Sequence, residues 1–203
     1  MEGEMANVAT IRVLPSAFLV FFLLFTSFFL ASGAEEAESH GVFRRTLDQK
    51  LMGLKKEKLT HFRLYWQEVV SGKNPTSIRV IQPVNGSQVL LGLVQIFDNA
   101  LTLGPDPDSK MVGRAQGFVI QPDQNEIALL KAENFVFVEG KYNGSAITIL
   151  GRNSVANTVR EMPIVGGSGL FRFARGYVQL RTHAFNNETL DTILEYNVYV
   201  LHY

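Results

Sequence analysis

Short hydrophobic runs separated by turn-forming residues dominate the sequence from residue 59 onwards. Turns are indicated by clusters such as Val84-Asn85-Gly86, Gly104-Pro105-Asp106 and Asn143-Gly144. The runs between the turns are rich in β-branched and aromatic residues and cover 59–70, 89–99, 111–121, 127–138, 146–150, 171–185 and 190–201. Regular turns between such runs predict an all-β sandwich or barrel, with about eight strands if some runs bend or split.

Several of these runs are apolar on both faces. In the last run, Tyr196, Val198 and Val200 alternate with Tyr199 and Leu201. A strand that is apolar on both faces must be covered on both sides. In a closed barrel one face lines the interior, and the other needs a neighbouring subunit or a covering loop. The pattern therefore predicts a homo-oligomer.

A different apolar segment, residues 15–31, lies near the N-terminus and contains six of the 15 phenylalanines. It ends in the small residues 32–34, which are followed by acidic residues, as in a cleaved secretory signal peptide. The alternative is a membrane anchor, but the stretch is just shorter than a full span. We expect a signal peptide at 1–34, a flexible N-terminus at 35–58, a barrel domain at 59–203, and secretion with no membrane association after cleavage. Glycosylation acceptors at Asn85, Asn143 and Asn187 agree with secretion.

Composition excludes several classes of function. The 203 residues include 19 basic and 19 acidic side chains, and zero net charge argues against a nucleic-acid partner. The chain has no cysteine, which removes disulfides, thiol nucleophiles and cysteine metal sites. Its four histidines have no metal-ligand spacing, so we expect no metal site.

One carboxylate stands out in the first run. Glu68 is in phase with Phe62, Leu64 and Trp66. If that face points inward, the carboxyl group enters an aromatic interior, its pKa rises, and it can act as an acid. The alternative is a carboxylate at a strand end paired with an arginine, for which Arg114 and Arg160 are candidates.

Longer motifs carry a family resemblance. They are Asp98–Pro105, Val112–Gly117, Arg160–Gly169, Phe171–Tyr177 and Glu195–Val200, in that order. Together they resemble the plant dirigent proteins, in particular the disease-resistance-response-like subgroup, over roughly residues 59–203. The resemblance implies an eight-stranded antiparallel β-barrel of the dirigent or allene-oxide-cyclase-like fold. It also implies secretion to the apoplast and a homo-oligomer, with a trimer favoured over a dimer.

The resemblance also implies a function without a cofactor or redox centre. An external oxidase or laccase forms phenoxy radicals from a monolignol such as coniferyl alcohol, and the barrel fixes which faces meet. A pocket acid then assists closure of the quinone-methide intermediate. On this interpretation the protein is a stereochemical guide rather than an enzyme. The alternatives are a cofactor-free dehydratase that makes pterocarpan-type products through a quinone methide, and a non-catalytic barrel that binds a phenolic or lipid ligand.

Individual site residues follow from the resemblance. Glu68 matches the aspartate of a His-Asp pair in lignan-forming members, and Arg160 matches a pocket arginine. Val119 and Gln121 stand where those members have tyrosines, and Asn153 stands where they have a second aspartate. These departures indicate a different substrate or a weakened activity. The candidate catalytic residues are Glu68 and Arg160, and the candidate substrate-binding residues are Trp66, Arg114, Phe118, Val119, Gln121, Asn153 and Phe173.

Overall fold

The computed structural model describes residues 45–54 and 56–203. The predicted signal peptide lies outside the described residues, as do residues 35–44 and 55 of the predicted flexible N-terminus. The chain divides into two compact units, 1–48 and 49–203. In the first unit only residues 45–48 are described, and they are exposed and form no regular structure. No described helix is both long enough and apolar enough to cross a membrane.

The described residues of the second unit form nine antiparallel strands. They are β1 Lys58–Glu68, β2 Ser77–Ile81, β3 Val94–Thr102, β4 Met111–Ile120, β5 Ala128–Phe137, β6 Ala146–Ser154, β7 Arg160–Ser168, β8 Arg175–Phe185 and β9 Thr192–His202. From β3 to β9 each strand pairs with the next, β9 pairs with β1 along its whole length, and β1 pairs with β3. This last pairing closes an eight-stranded barrel, to which β2 adds one extra strand. The predicted fold is confirmed.

The strands β1 and β2 share one edge of β3. Residues 65–67 of β1 pair with 100–102, and residues 77–81 of β2 pair with 94–97. The intervening segment 69–76 leaves the sheet and returns, with the Thr76 amide donating to the Val69 carbonyl at 2.7 Å. The second strand therefore continues the line of the first and extends one wall at the end of the barrel where β1 stops.

An aromatic plug fills one end of the barrel. The ring of Phe62 lies 5.1 Å from that of Phe137, 5.1 Å from that of Tyr142 and 6.0 Å from that of Phe171, measured between centroids. The His202 imidazole adds an edge contact to Phe171 at 5.0 Å. Such tilted and edge-on contacts are favourable geometries for aromatic rings. Because this end is filled, the space for a ligand lies at the opposite end.

Apolar side chains also cover part of the outside of the barrel. On the outer faces of adjacent strands, Ile78 lies opposite Ile96, and Ile96 lies opposite Phe118. The next two strands add Leu130 and Leu150, and all five side chains are between 39% and 51% exposed. We call these five residues the outer apolar patch.

Candidate functional site

The end of the barrel opposite the aromatic plug encloses a cavity of about 450 Å³. Its apolar wall is formed by Trp66, Leu93, Phe97, Val119, Leu129 and Leu194, among others. A register shift in β8 brings both Thr182 and Phe185 to the lining, although alternation alone would turn residues three apart to opposite faces. A mostly apolar pocket with a few polar groups is the usual form of a small-molecule site.

The carboxyl group of Glu68 lies at the end of β1 and faces this cavity. Its Oε1 atom accepts hydrogen bonds from Ser77 Oγ at 2.6 Å and from Gln95 Nε2 at 3.0 Å. Burial raises the pKa of Glu68, while the Ser77 hydrogen bond and the positive charge of Lys131 oppose that rise. Within the described residues Glu68 forms no ion pair with an arginine. The site therefore contains a carboxyl group with an increased tendency to hold its proton.

The guanidinium group of Arg160 enters the same cavity from the start of β7. It is only 4% exposed, and its Nη2 atom donates to Thr182 Oγ1 at 2.9 Å. The buried Nε atom has no hydrogen-bond partner, and no described carboxylate pairs with this arginine. Burial lowers the pKa of Arg160, but a guanidinium still remains protonated near neutral pH. The arrangement leaves a positive charge available to a ligand.

A second polar cluster lies beneath the cavity and was not predicted. The Lys131 Nζ atom donates to the Tyr196 hydroxyl at 2.7 Å, and this hydroxyl donates to Glu133 Oε1 at 2.8 Å. The same Nζ atom lies 3.2 Å from Glu133 Oε2 and 4.0 Å from the centre of the Trp66 ring. Burial lowers the pKa of Lys131 and raises that of Tyr196 well above its ordinary value. The tyrosine is therefore neutral, and the negative charge of Glu133 opposes the lowering of the Lys131 pKa by burial.

The same alternation that singled out Glu68 identifies this cluster. Lys131 and Glu133 are in phase with Phe135 and Phe137, and all four side chains are buried. The alternation of apolar residues along β5, like that along β1, places both charged side chains inside the barrel.

Five of the sequence-predicted residues meet at the cavity, namely Trp66, Glu68, Val119, Asn153 and Arg160. The Asn153 side chain is 4% exposed, and its Oδ1 atom has no hydrogen-bond partner. The described lining of the cavity thus contains three buried side chains with unsatisfied polar atoms, namely Trp66, Asn153 and Arg160. Such atoms are costly to bury unless a ligand or water pairs with them.

Four sequence-predicted binding residues lie outside the cavity lining. Odd-numbered residues of β4 point inward, so Arg114 and Phe118 point outward. Arg114 pairs with Asp98 at 2.6 Å, and Phe118 belongs to the outer apolar patch. Gln121 is buried, but its amide group binds main-chain atoms of the turn before β5. Phe173 is 59% exposed in the turn that follows Phe171 of the aromatic plug.

The three predicted glycosylation acceptors, Asn85, Asn143 and Asn187, are all exposed. In the second acceptor site, the hydroxyl of Ser145 is buried and accepts the Leu170 amide at 3.1 Å. Attachment of glycans at these asparagines stays a prediction.

A closed antiparallel barrel with one plugged end and one apolar cavity defines a ligand-cavity β-barrel. The family model for Dirigent-like protein matches residues 59–201 of this chain. The chain therefore belongs to the dirigent protein family, which confirms the predicted resemblance.

Individual relatives cover most of the chain. It is 47% identical to Dirigent protein 7 of Arabidopsis thaliana over 181 residues. This alignment covers 89% of this chain and 97% of the relative. It is 41% identical to Pterocarpan synthase 1 of Glycine max, over 78% of this chain and 87% of the relative. The solved structure of the pterocarpan synthase dirigent protein GePTS1 is similar with a TM-score of 0.69 and 42% identity, over 73% of this chain and 87% of that chain.

Proposed function

We propose that the cavity binds a phenolic intermediate and directs its ring closure, with Glu68 as the proton donor. The observation that carries this proposal is a carboxyl group with a raised pKa facing an apolar cavity that also holds Arg160. Apolar walls suit an aromatic ring, and a carboxyl group that keeps its proton can act as a general acid. The nearby guanidinium can stabilise negative charge that develops on a phenolic oxygen.

The reaction we propose first is stereoselective coupling of monolignol radicals, such as those of coniferyl alcohol. An external oxidase or laccase removes one electron and one proton from each phenol. Two radicals held in fixed orientation form one carbon–carbon bond, which gives a quinone methide. Glu68 then protonates the quinone-methide oxygen while a hydroxyl group of the adduct attacks and loses its own proton. Relatives named as dirigent proteins, at 43–47% identity, support this candidate.

A second candidate is cofactor-free dehydration to a pterocarpan-type product. The pterocarpan synthases among the relatives, at 39–41% identity, favour this candidate. In this reaction Glu68 protonates the leaving hydroxyl group, water departs while the conjugated phenol loses its proton, and Arg160 stabilises the oxygen of the resulting quinone methide. A neighbouring phenol then adds to the quinone methide and closes the ring, and its proton passes to the quinone-methide oxygen. The proton lost in the first step restores the acid form of Glu68, so that one molecule of water is lost overall.

Two assays distinguish these candidates. Coniferyl alcohol oxidised by laccase gives a racemic product, and enantiomeric excess with the protein present supports stereoselective coupling. Conversion of an isoflavanol without any cofactor supports the dehydratase. Binding of a phenol with neither outcome contradicts both candidates and leaves the non-catalytic barrel.

The acid role is tested with Glu68→Gln, which retains shape and hydrogen bonding but removes the proton. We expect it to abolish the stereoselective product or the dehydration without unfolding the barrel. The matched control is Glu195→Gln in β9, whose carboxylate binds Arg63 and Tyr65 on the outer face. Full activity of Glu68→Gln would show that Glu68 has only a structural role.

We also propose that the protein is secreted to the apoplast and that the outer apolar patch joins copies of the chain. The hydrophobic segment 15–31 and the small residues after it support secretion. Sequencing of the protein from apoplastic fluid should give an N-terminus near Glu35, and a start at Met1 would contradict cleavage. The apolar exposure of the patch supports the oligomer.

A further inference from the structure

Basic side chains outnumber acidic ones around the cavity. Among the described residues that line it, Arg79, Lys131 and Arg160 are basic and Glu68 alone is acidic. The charge of Lys131 is offset by Glu133 beneath the cavity. The raised pKa of Glu68 favours its neutral form. The interior therefore has an excess of positive charge, which attracts anions through a low-dielectric opening.

This excess is concentrated at Arg160. Arg160 is only 4% exposed, yet the one described hydrogen bond of its side chain is to the neutral Thr182 hydroxyl. Its Nε atom lacks a partner, and the other unsatisfied buried side-chain atoms of the described lining, Trp66 Nε1 and Asn153 Oδ1, belong to neutral groups. A buried cation without a counter-ion is unfavourable, and removal of water makes an incoming anion a strong partner. Guanidinium groups bind carboxylates through two parallel hydrogen bonds.

We propose that the ligand of this cavity is an aromatic carboxylate, with the ring against the apolar wall and the carboxylate on Arg160. This inference rests on the proposed function and replaces the neutral monolignol as its ligand with a phenolic acid that has a short side chain. A carboxylate is ionised at neutral pH, whereas a phenol with a pKa of about 10 would first have to lose a proton. A neutral alcohol would leave the charge of Arg160 uncompensated.

Calorimetric titration with ferulate and coniferyl alcohol tests the proposal. The two compounds share the ring and the three-carbon chain and differ only in the carboxylate or alcohol at its end. We expect the wild-type protein at neutral pH to bind ferulate at least about ten-fold more tightly, which corresponds to about 1.4 kcal/mol. Trp66 is the one tryptophan of the chain and lines the cavity, so quenching of its emission reports whether the ligand occupies that cavity.

Two variants address the charge directly. Arg160→Gln should reduce the affinity of the protein for ferulate to its affinity for coniferyl alcohol. Asn153→Asp adds a negative charge to the same lining, and should weaken the binding of ferulate at least about ten-fold more than the binding of the alcohol. Asn153→Asp keeps the test valid if Arg160→Gln does not fold. The control is Arg114→Gln, which removes an arginine on the outer face.

Equal or tighter binding of the alcohol by the wild-type protein would overturn the inference, as would a ferulate preference that persists in both variants. Failure to bind either compound would also overturn it. The product assays on coniferyl alcohol and isoflavanol decide the proposed function separately. Enantiomeric excess from coniferyl alcohol together with weak ferulate binding would retain that function and reject the carboxylate ligand.

Discussion

Three charged side chains at the cavity differ chiefly in the partners that surround them. Glu68 accepts hydrogen bonds from Ser77 and Gln95, both neutral, so burial raises the carboxyl pKa. Lys131 has an anionic partner in the Lys131–Glu133–Tyr196 cluster, whereas Arg160 has none among the described residues. The roles that we propose, namely proton donation for Glu68, structural support for Lys131 and ligand binding for Arg160, therefore follow from the partners of each side chain rather than from its residue type.

The first prediction at this scale concerns pH. The protonated form of Glu68 donates, so the acid-dependent rate should be highest at low pH and fall as pH rises through its raised pKa. Burial also makes the folded state bind this proton more tightly than the unfolded chain. The stabilisation is therefore complete below the ordinary carboxyl pKa of 4.5 and is lost as pH rises through the folded value.

Rate and urea-unfolding profiles of the wild-type protein and Glu68→Gln check this prediction. The variant should lose the acid-dependent rate, and its stability relative to the wild-type protein should increase with pH. A falling rate profile that remains in Glu68→Gln would assign the titration to another group.

The second prediction concerns the Lys131–Glu133–Tyr196 cluster. Lys131→Met leaves a buried carboxylate without its cation and should lower the free energy of unfolding by about 3–5 kcal/mol. Lys131→Met/Glu133→Gln retains an acceptor for the Tyr196 hydroxyl but leaves no unpaired charge, so it should lose less. Urea unfolding followed by Trp66 fluorescence measures both. A double variant that loses as much stability as Lys131→Met, or more, would contradict the prediction that removing the unpaired charge recovers stability.

At the scale of elements, alternation within one strand was readable from the sequence, while pairing between strands was not. The inward phase of Phe62, Leu64, Trp66 and Glu68 follows from β1 alone. The residues that bind the Glu68 carboxyl come from β2 and β3, and β2 was not predicted because five residues between turns give a weak signal. The register shift in β8 was equally hidden, since it depends on how that strand meets β9.

Some predicted binding residues lie outside the cavity lining, and the causes are local. Arg114 and Phe118 were predicted to bind the substrate, but strand parity directs them outward. Gln121 has inward parity and still does not line the cavity, because the turn before β5 uses its amide group. The sequence therefore identified the strands that carry these residues. Strand parity determined the contacts of Arg114 and Phe118, and hydrogen bonds to neighbouring main chain determined those of Gln121.

A prediction at this scale concerns Gly117, where β4 and β5 approach closely. A Cβ atom there would lie 2.0 Å from the Ala132 carbonyl oxygen and 2.8 Å from Glu133 Cα. Because these are main-chain atoms, Gly117→Ala should separate the strands and lower the free energy of unfolding by about 1–3 kcal/mol. The control is Gly166→Ala in β7, where a Cβ atom meets nothing within 4 Å. Chemical denaturation measures the free energy of unfolding of both variants. Equal values would contradict the argument that β4 and β5 approach too closely at Gly117 for a Cβ atom.

At the scale of the whole molecule, apolar surface occurs in two separate places, inside the barrel and on part of its outside. The interior is filled at one end by the aromatic plug and left open at the other, which provides a ligand site within a single chain. The outer apolar patch spans five adjacent strands, β2 to β6, on the outside of the barrel. An exposed contiguous apolar surface of this kind is typical of a protein–protein contact. The proposed ligand site and the proposed contact between copies therefore lie on opposite faces of the same strands.

The last prediction follows from this separation. Phe118 lies near the centre of the outer apolar patch, and Phe118→Asp would place an unpaired charge in the contact between copies. We expect the wild-type protein to sediment as a homo-oligomer and Phe118→Asp to sediment as a monomer with an intact barrel. The control is Leu59→Asp, which alters an apolar side chain that is 68% exposed on β1 outside the patch. A wild-type monomer would reject the oligomer, and an oligomeric Phe118→Asp would move the contact to another surface.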